Sequence, residues 1–207
     1  MNDIDAITPL KDVWLRPRRV FREMASRPIG VGDLALTSLQ GIANFVLRSR
    51  LSMAETHATV QEVLVGSLLL GSLGGLLGTA FWAFVYNKIG TRLGAKSGFT
   101  PVFHVLSYGA VPWVAAFLLW AGIALVVGDA AFVSVPPAGT DSFVVVLLRA
   151  ETIAMVLLFL WASLVQIMGL SEVFDFKLRK AFGVWASGQL IALLFVLLAL
   201  NLAGAPR

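Results

Sequence analysis

The chain has 207 residues, 58% of them hydrophobic and 14% charged, and its mean hydropathy is +0.85. A soluble domain carries about 25% charged residues, so a single water-facing globule is excluded. Sixteen Lys and Arg against twelve Asp and Glu give a pI near 9.9, but these charges lie almost wholly between apolar blocks, which places them at membrane faces and not on a nucleic-acid surface. The absence of cysteine excludes disulfides, thiolate catalysis and Cys-based metal sites.

Residues 1–30 mix basic and acidic groups with Pro9, Pro17 and Pro28, and they hold no apolar stretch ending in a cleavage site, so no cleavable signal peptide is expected. Proline's fixed φ suits a first helical turn, and a short helix is predicted over 17–26. It sets Val20, Phe21 and Met24 on one face and Arg18, Arg19 and Arg22 on another, the pattern of an amphipathic helix at the headgroup level. The plainer reading of its arginines is a positive-inside determinant, and the sharper one is a docking surface for a cytoplasmic protein.

Membrane spans follow at 63–86, 102–128, 147–170 and 181–203, each at or beyond the roughly twenty residues that cross ~30 Å of hydrocarbon. The block directly after 102–128 begins between Phe143 and Thr152, a stretch in which Arg149 and Glu151 fall. An interfacial placement is expected for both. A fifth segment, 31–47, is shorter and contains Asp33, Thr37, Ser38, Gln40 and Asn44.

Charge decides whether that segment crosses. If it does, one side receives Lys11, Arg16, Arg18, Arg19, Arg22 and Arg27, then Lys88, Arg92 and Lys96, then Lys177, Arg179 and Lys180. These twelve face only Arg48, Arg50 and Arg207 on the other side, and the loop at 129–141 has no Lys or Arg. If it does not cross, the split is nine against six and specifies no orientation. Five spans with a cytoplasmic N-terminus and an outer C-terminus follow from the positive-inside rule.

Asp33, Thr37, Gln40, Gly41, Asn44 and Arg48 recur at helical spacings of three and four, forming an intramembrane polar stripe that must look inward or at water. Such a stripe, with Glu151, either makes interhelical hydrogen bonds or lines a path for an ion, a solute or a lipid headgroup. In the next span Gly71 to Gly75 and Gly74 to Gly78 form two GxxxG steps, which serve helix packing within the bundle or between copies. Pro112 leaves the Tyr108 carbonyl without its helical donor and kinks its span.

His57 and His104 have no second ligand at metal spacing and read as ordinary polar residues. The stretch Gly94, Ala95, Lys96, Ser97 lacks the glycine before its Lys, the earlier glycine and the preceding strand of a phosphate loop. It reads as a connector, or as a basic turn against anionic headgroups. No HExxH, paired-aspartate or G-x-S-x-G pattern is present, so no catalytic residue, metal or cofactor is expected.

Four segments together resemble the Yip family of small polytopic membrane proteins. They are Trp14-Leu15-Arg16-Pro17-Arg18-Arg19-Val20-Phe21-Arg22-Glu23-Met24; then Asn87-Lys88-Ile89-Gly90 through Leu93-Gly94-Ala95-Lys96 to Ser107-Tyr108-Gly109-Ala110-Val111-Pro112; then residues 161–170; and Lys180-Ala181 opening the last span. The resemblance implies five spans and no enzymatic activity. In eukaryotes it implies an adaptor for Rab GTPases in vesicle trafficking, but those members carry longer cytosolic N-terminal regions, so this chain is similar to the bacterial type.

The expectation is an all-α polytopic integral membrane protein: a cytoplasmic segment at 1–30 with an interfacial helix, and a five-helix domain at 31–204. The function expected is that of a scaffold or adaptor of the bacterial inner membrane, contacting the lipid bilayer and either a second copy or another membrane or cytoplasmic protein. The alternative is a transporter, channel or lipid-handling protein using the polar stripe.

Overall fold

The computed structural model describes residues 7–56, 60–128 and 141–204. His57, most of the loop at 129–141, and Arg207 lie outside them. The described residues form α1 (Ile7–Leu15), α2 (Pro17–Met24), α3 (Val31–Thr56), α4 (Val60–Gly66), a π-helical turn (Ser67–Gly71), α5 (Ser72–Arg92), α6 (Phe99–Gly109), α7 (Val111–Val127), α8 (Ser142–Val173) and α9 (Leu178–Gly204).

Among the described residues, four stretches are long and apolar enough to cross a membrane: Gln61–Arg92, Phe99–Val127, Ser142–Val173 and Leu178–Leu198. Within Ser142–Val173 only 11% of the most apolar window is buried inside the protein. Leu157, Leu160 and Leu164 on α8 face outward, as do Leu190, Leu194 and Leu198 on α9. That much exposed apolar surface is stable only against acyl chains. α3 is long enough, at 26 residues, but too polar to join the four.

Five long helices close a ring in which α3 contacts α5, α5 contacts α9, α9 contacts α8, α8 contacts α7 and α7 contacts α3. One end is filled by α6, which touches α3, α5 and α8 and buries every residue from Val102 to Gly109. The Phe99–Val127 stretch breaks at Ala110, between α6 and α7, because Pro112 has no N–H with which to continue the α6 ladder. The main core gathers at this end around Phe21, Val105, Leu106, Val165, Leu170 and Phe174. At the other end a smaller cluster joins Val46, Val63 and Trp120.

α2 opens on Pro17 as its sequence predicts and buries Val20, Phe21 and Met24. Those side chains meet protein and not lipid, since α2 packs on α8 and α6. Phe21 fills the space over Gly169, where an added Cβ would come within 2.8 Å of its ring.

α5 and α8 stop at this same end with the same motif. Gly94 (φ +92) lets its own N–H reach the Thr91 carbonyl and the Ala95 N–H reach the Gly90 carbonyl. Asp175 (φ 54) repeats the pattern, with Phe176 bonding back to Ser171. These are Schellman stops, and Gly94 supplies the left-handed conformation that a Cβ disfavours. The basic glycine-rich connector is thus a helix terminator.

Candidate functional site: a polar cavity and the end that closes it

Inside the ring lies a cavity of about 350 Å³. It runs along α5 from Gly74 to Tyr86, a rise of roughly 18 Å at ~1.5 Å per residue. Gln40, Asn44 and Arg48 line it from α3, which brings half of the six-residue polar stripe to one wall. Gln166 on α8 and Gln189 on α9 face them, with Trp82, Trp113 and Trp185 between.

Several of these polar groups hold one another in place. Trp113 Nε1 donates to Asn44 Oδ1 at 3.0 Å, Trp185 Nε1 to Gln166 Oε1 at 3.3 Å, and Gln189 Nε2 to the Tyr86 hydroxyl at 3.3 Å. Gln40 Oε1 is buried with no hydrogen-bond partner. An acceptor in that state calls for a donor that enters from outside the protein, such as water or a ligand.

The two GxxxG steps divide their labour. A Cβ on Gly41 would lie 2.0 Å from the Gly71 carbonyl oxygen, and one on Gly75 would lie 2.1 Å from the Thr37 carbonyl oxygen. Gly71 and Gly75 therefore form a seam with α3 in which the backbones touch. Gly74 and Gly78 meet nothing within 4 Å and open onto the cavity.

The rest of the stripe serves the closed end. Asp33, buried to 3% exposure, accepts on Oδ2 from the Gly30 N–H at 3.0 Å, satisfying a donor at the start of α3. Its Oδ1 lies 2.6 Å from His104 Nδ1, and His104 Nε2 lies 3.0 Å from the Arg27 carbonyl oxygen. A carbonyl only accepts, so Nε2 carries a hydrogen there, and Nδ1 and Oδ1 share a proton between them. Thr37 turns its hydroxyl back onto the Leu34 carbonyl at 3.0 Å.

His104 is accordingly no ordinary polar residue. It is 1% exposed and ties α6 to α3 and to the linker after α2. Spacing along the sequence conceals this, because the carboxylate lies 71 residues away. The available signal was an ionisable side chain inside the apolar run from Val102 to Leu106, which cannot be buried without a partner. Among the described residues no three His, Asp or Glu side chains gather to hold a metal ion.

Glu151 is buried at 2% exposure, Arg149 is exposed, and neither lines the cavity. α8 begins at Ser142, so both sit within the helix and point to different sides. The stripe and Glu151 do not combine into one lining.

On the outside of the closed end, Arg18, Arg19 and Arg22 are exposed. Arg22 Nε donates to Glu172 Oε1 of α8 at 2.6 Å, and Arg19 Nε donates to Glu23 Oε1 at 2.8 Å. Lys180 Nζ donates to the Leu93 carbonyl at 2.6 Å and sits 3.9 Å from the centre of the Phe176 ring.

The model of the Yip1 domain matches residues 11–200 of this chain. Neither the curated proteins nor the solved structures contain a match to it. With four apolar spans and a family match over nearly its whole length, the chain is a multi-pass integral membrane protein and belongs to the Yip1 domain family.

Proposed function

We propose that the chain is a non-enzymatic membrane adaptor of the bacterial inner membrane, crossing five times and offering its basic N-terminal end to a cytoplasmic protein. One observation carries this reading: α2 is fixed on the bundle. A positive-inside determinant needs only charge, with no defined geometry. Here the apolar face of α2 is buried on α6 and α8, Arg22 bridges to Glu172, and Arg18 and Arg19 are left pointing outward. Rigid presentation of unburied charge is what a docking surface needs.

The fifth crossing is supported by the length of α3, which at 26 residues rises ~39 Å and packs along α5 and α7, with Asp33, Thr37, Gln40 and Asn44 turned inward. A reporter fused at the C-terminus should be active only outside the cytoplasm, and a cytoplasmic C-terminus would sink the five-span reading. For the adaptor role, a photo-crosslinker placed at Arg18 in native membranes should capture one defined cytoplasmic protein. Capture should fall when Arg19 is changed to Glu. Cross-linking to lipid alone would reduce α2 to a topogenic signal.

A second reading, handling of a solute or lipid headgroup, is favoured by the polar cavity at Gln40, Asn44 and Arg48.

A further inference from the structure

We infer that the cavity is a binding site for a phosphorylated polyol, of which glycerophosphate is the simplest example. The proposal concerns binding. It rests on the second reading only in using the same cavity, and it holds whether or not anything is moved across the membrane.

Charge comes first. Arg48 is the one ionised side chain among the described lining residues, and no carboxylate accompanies it. This lone positive charge disfavours a cation and suits an anionic group at that end. Arg48 lies eight residues beyond Gln40, two helical turns or ~12 Å along α3, so the cation marks one end of the site and not its middle.

Hydrogen-bond chemistry identifies the rest. Beyond Arg48 the polar groups are neutral, the amides of Gln40, Asn44, Gln166 and Gln189 and the hydroxyls of Thr79, Tyr86 and Ser163, and all of these both donate and accept. A hydroxyl does the same, whereas a second anionic group would match only the donors. Gln40 Oε1 sharpens the point, since it is a buried acceptor still requiring a donor, and a hydroxyl supplies one. Trp113 and Trp185 are pinned through their indole N–H groups and packed against Phe159 and Phe182, which holds apolar ring surface at the cavity wall for the C–H groups of a polyol.

Space is compatible with this. The volume of about 350 Å³ falls at the small end of ligand sites, and Gly74 and Gly78 keep it open by adding no side chain. Water alone, about ten molecules at ~30 Å³ each, is the alternative occupant.

The same phosphoglycerol chemistry occurs in a lipid headgroup and in a free metabolite, and separate arms distinguish them. The purified protein would be placed in nanodiscs of phosphatidylcholine with or without phosphatidylglycerol. In a parallel arm, glycerol 3-phosphate, glycerol or inorganic phosphate would be added to phosphatidylcholine discs. Intrinsic tryptophan fluorescence and thermal unfolding report occupancy. Phosphatidylglycerol or glycerol 3-phosphate should shift both signals saturably, with glycerol and inorganic phosphate much weaker.

Arg48→Gln should weaken apparent affinity by about tenfold or more, as expected when one charge-assisted hydrogen bond is lost, and Gln40→Leu by about threefold to tenfold. Because Arg48 is exposed, its variant is expected to fold, which unfolding of the unliganded protein verifies. A shift with phosphatidylglycerol alone assigns the ligand to lipid, and a shift with glycerol 3-phosphate alone assigns it to a solute. If neither probe exceeds inorganic phosphate, or if the shift survives in both variants, the cavity holds water only and the proposal is overturned. Loss of solute flux with binding retained would instead count against the transport reading alone.

Discussion

The two halves of the ring interior treat polar groups in opposite ways. At the α6 end, Asp33 and His104 are almost wholly buried, and all four of their polar atoms are bonded, to the Gly30 N–H, to the Arg27 carbonyl and to each other. In the cavity the amides are only half satisfied, and Gln40 Oε1 has no partner. A buried polar group is costly unless paired, so the first arrangement serves shape and the second implies an occupant.

Breaking the closed end should have the largest effect. His104→Leu strands the Asp33 carboxylate in a buried site, and loss of one partner from such a pair costs about 3 to 5 kcal/mol. Thermal unfolding in detergent should show a marked drop in Tm. Adding Asp33→Leu to that variant should recover part of it, and failure to recover any would mean that Asp33 matters chiefly through the Gly30 N–H.

The glycines of α5 give a smaller, differential effect. Gly75→Ala drives a Cβ into the backbone of α3, and forcing packed helices apart costs about 1 to 3 kcal/mol. Gly78→Ala meets open space and should stay within about 0.5 kcal/mol of the parent. Equal losses at the two sites would mean that the seam and the cavity are not distinct. The Gly78 substitution should still reduce phosphoglycerol binding.

The smallest effect is on α2 and depends on pH. The hydrogen bond from Arg19 holds the Glu23 carboxyl below its usual range, against the opposing effect of burial. A depressed carboxylate stabilises the folded helix at pH above its unfolded value, and that contribution disappears as pH falls through the folded value. Protection against amide exchange over 17–24, taken relative to the intrinsic rate at each pH, should therefore fall modestly as pH drops below the ordinary glutamate range. Glu23→Gln should remove the pH dependence, and an unchanged profile would show that the pair does not hold α2.

Much of this was legible beforehand, for identifiable reasons. Pro17 and the alternation of Arg18, Arg19 and Arg22 with Val20, Phe21 and Met24 mark α2, because the helical period sorts them onto two faces. Long apolar blocks mark four spans because lipid demands unbroken length. Gly71 with Gly75 and Gly74 with Gly78 look identical in sequence, yet they lie some 60° apart around one helix, and only the position of α3 decides which pair packs. The His104 to Asp33 bond was hidden for a related reason: it belongs to a crossing of helices and not to either segment. The far wall of the cavity, Gln166, Gln189 and Tyr86, carries no local pattern at all.

The π-helical turn at Ser67–Gly71 has a consequence for lineage and engineering. A π-turn is equivalent to one residue inserted into an α-helix, and one residue corresponds to about 100° of rotation. Deleting a single residue there would restore an uninterrupted α-helix from Gln61 to Arg92 and swing its first turns a quarter-circle, carrying Val63 away from Val46 and Trp120. The glycine seam downstream would keep its own register. The turn thus uncouples the two halves of this span, so that one end can drift in length and composition while the other stays locked to α3.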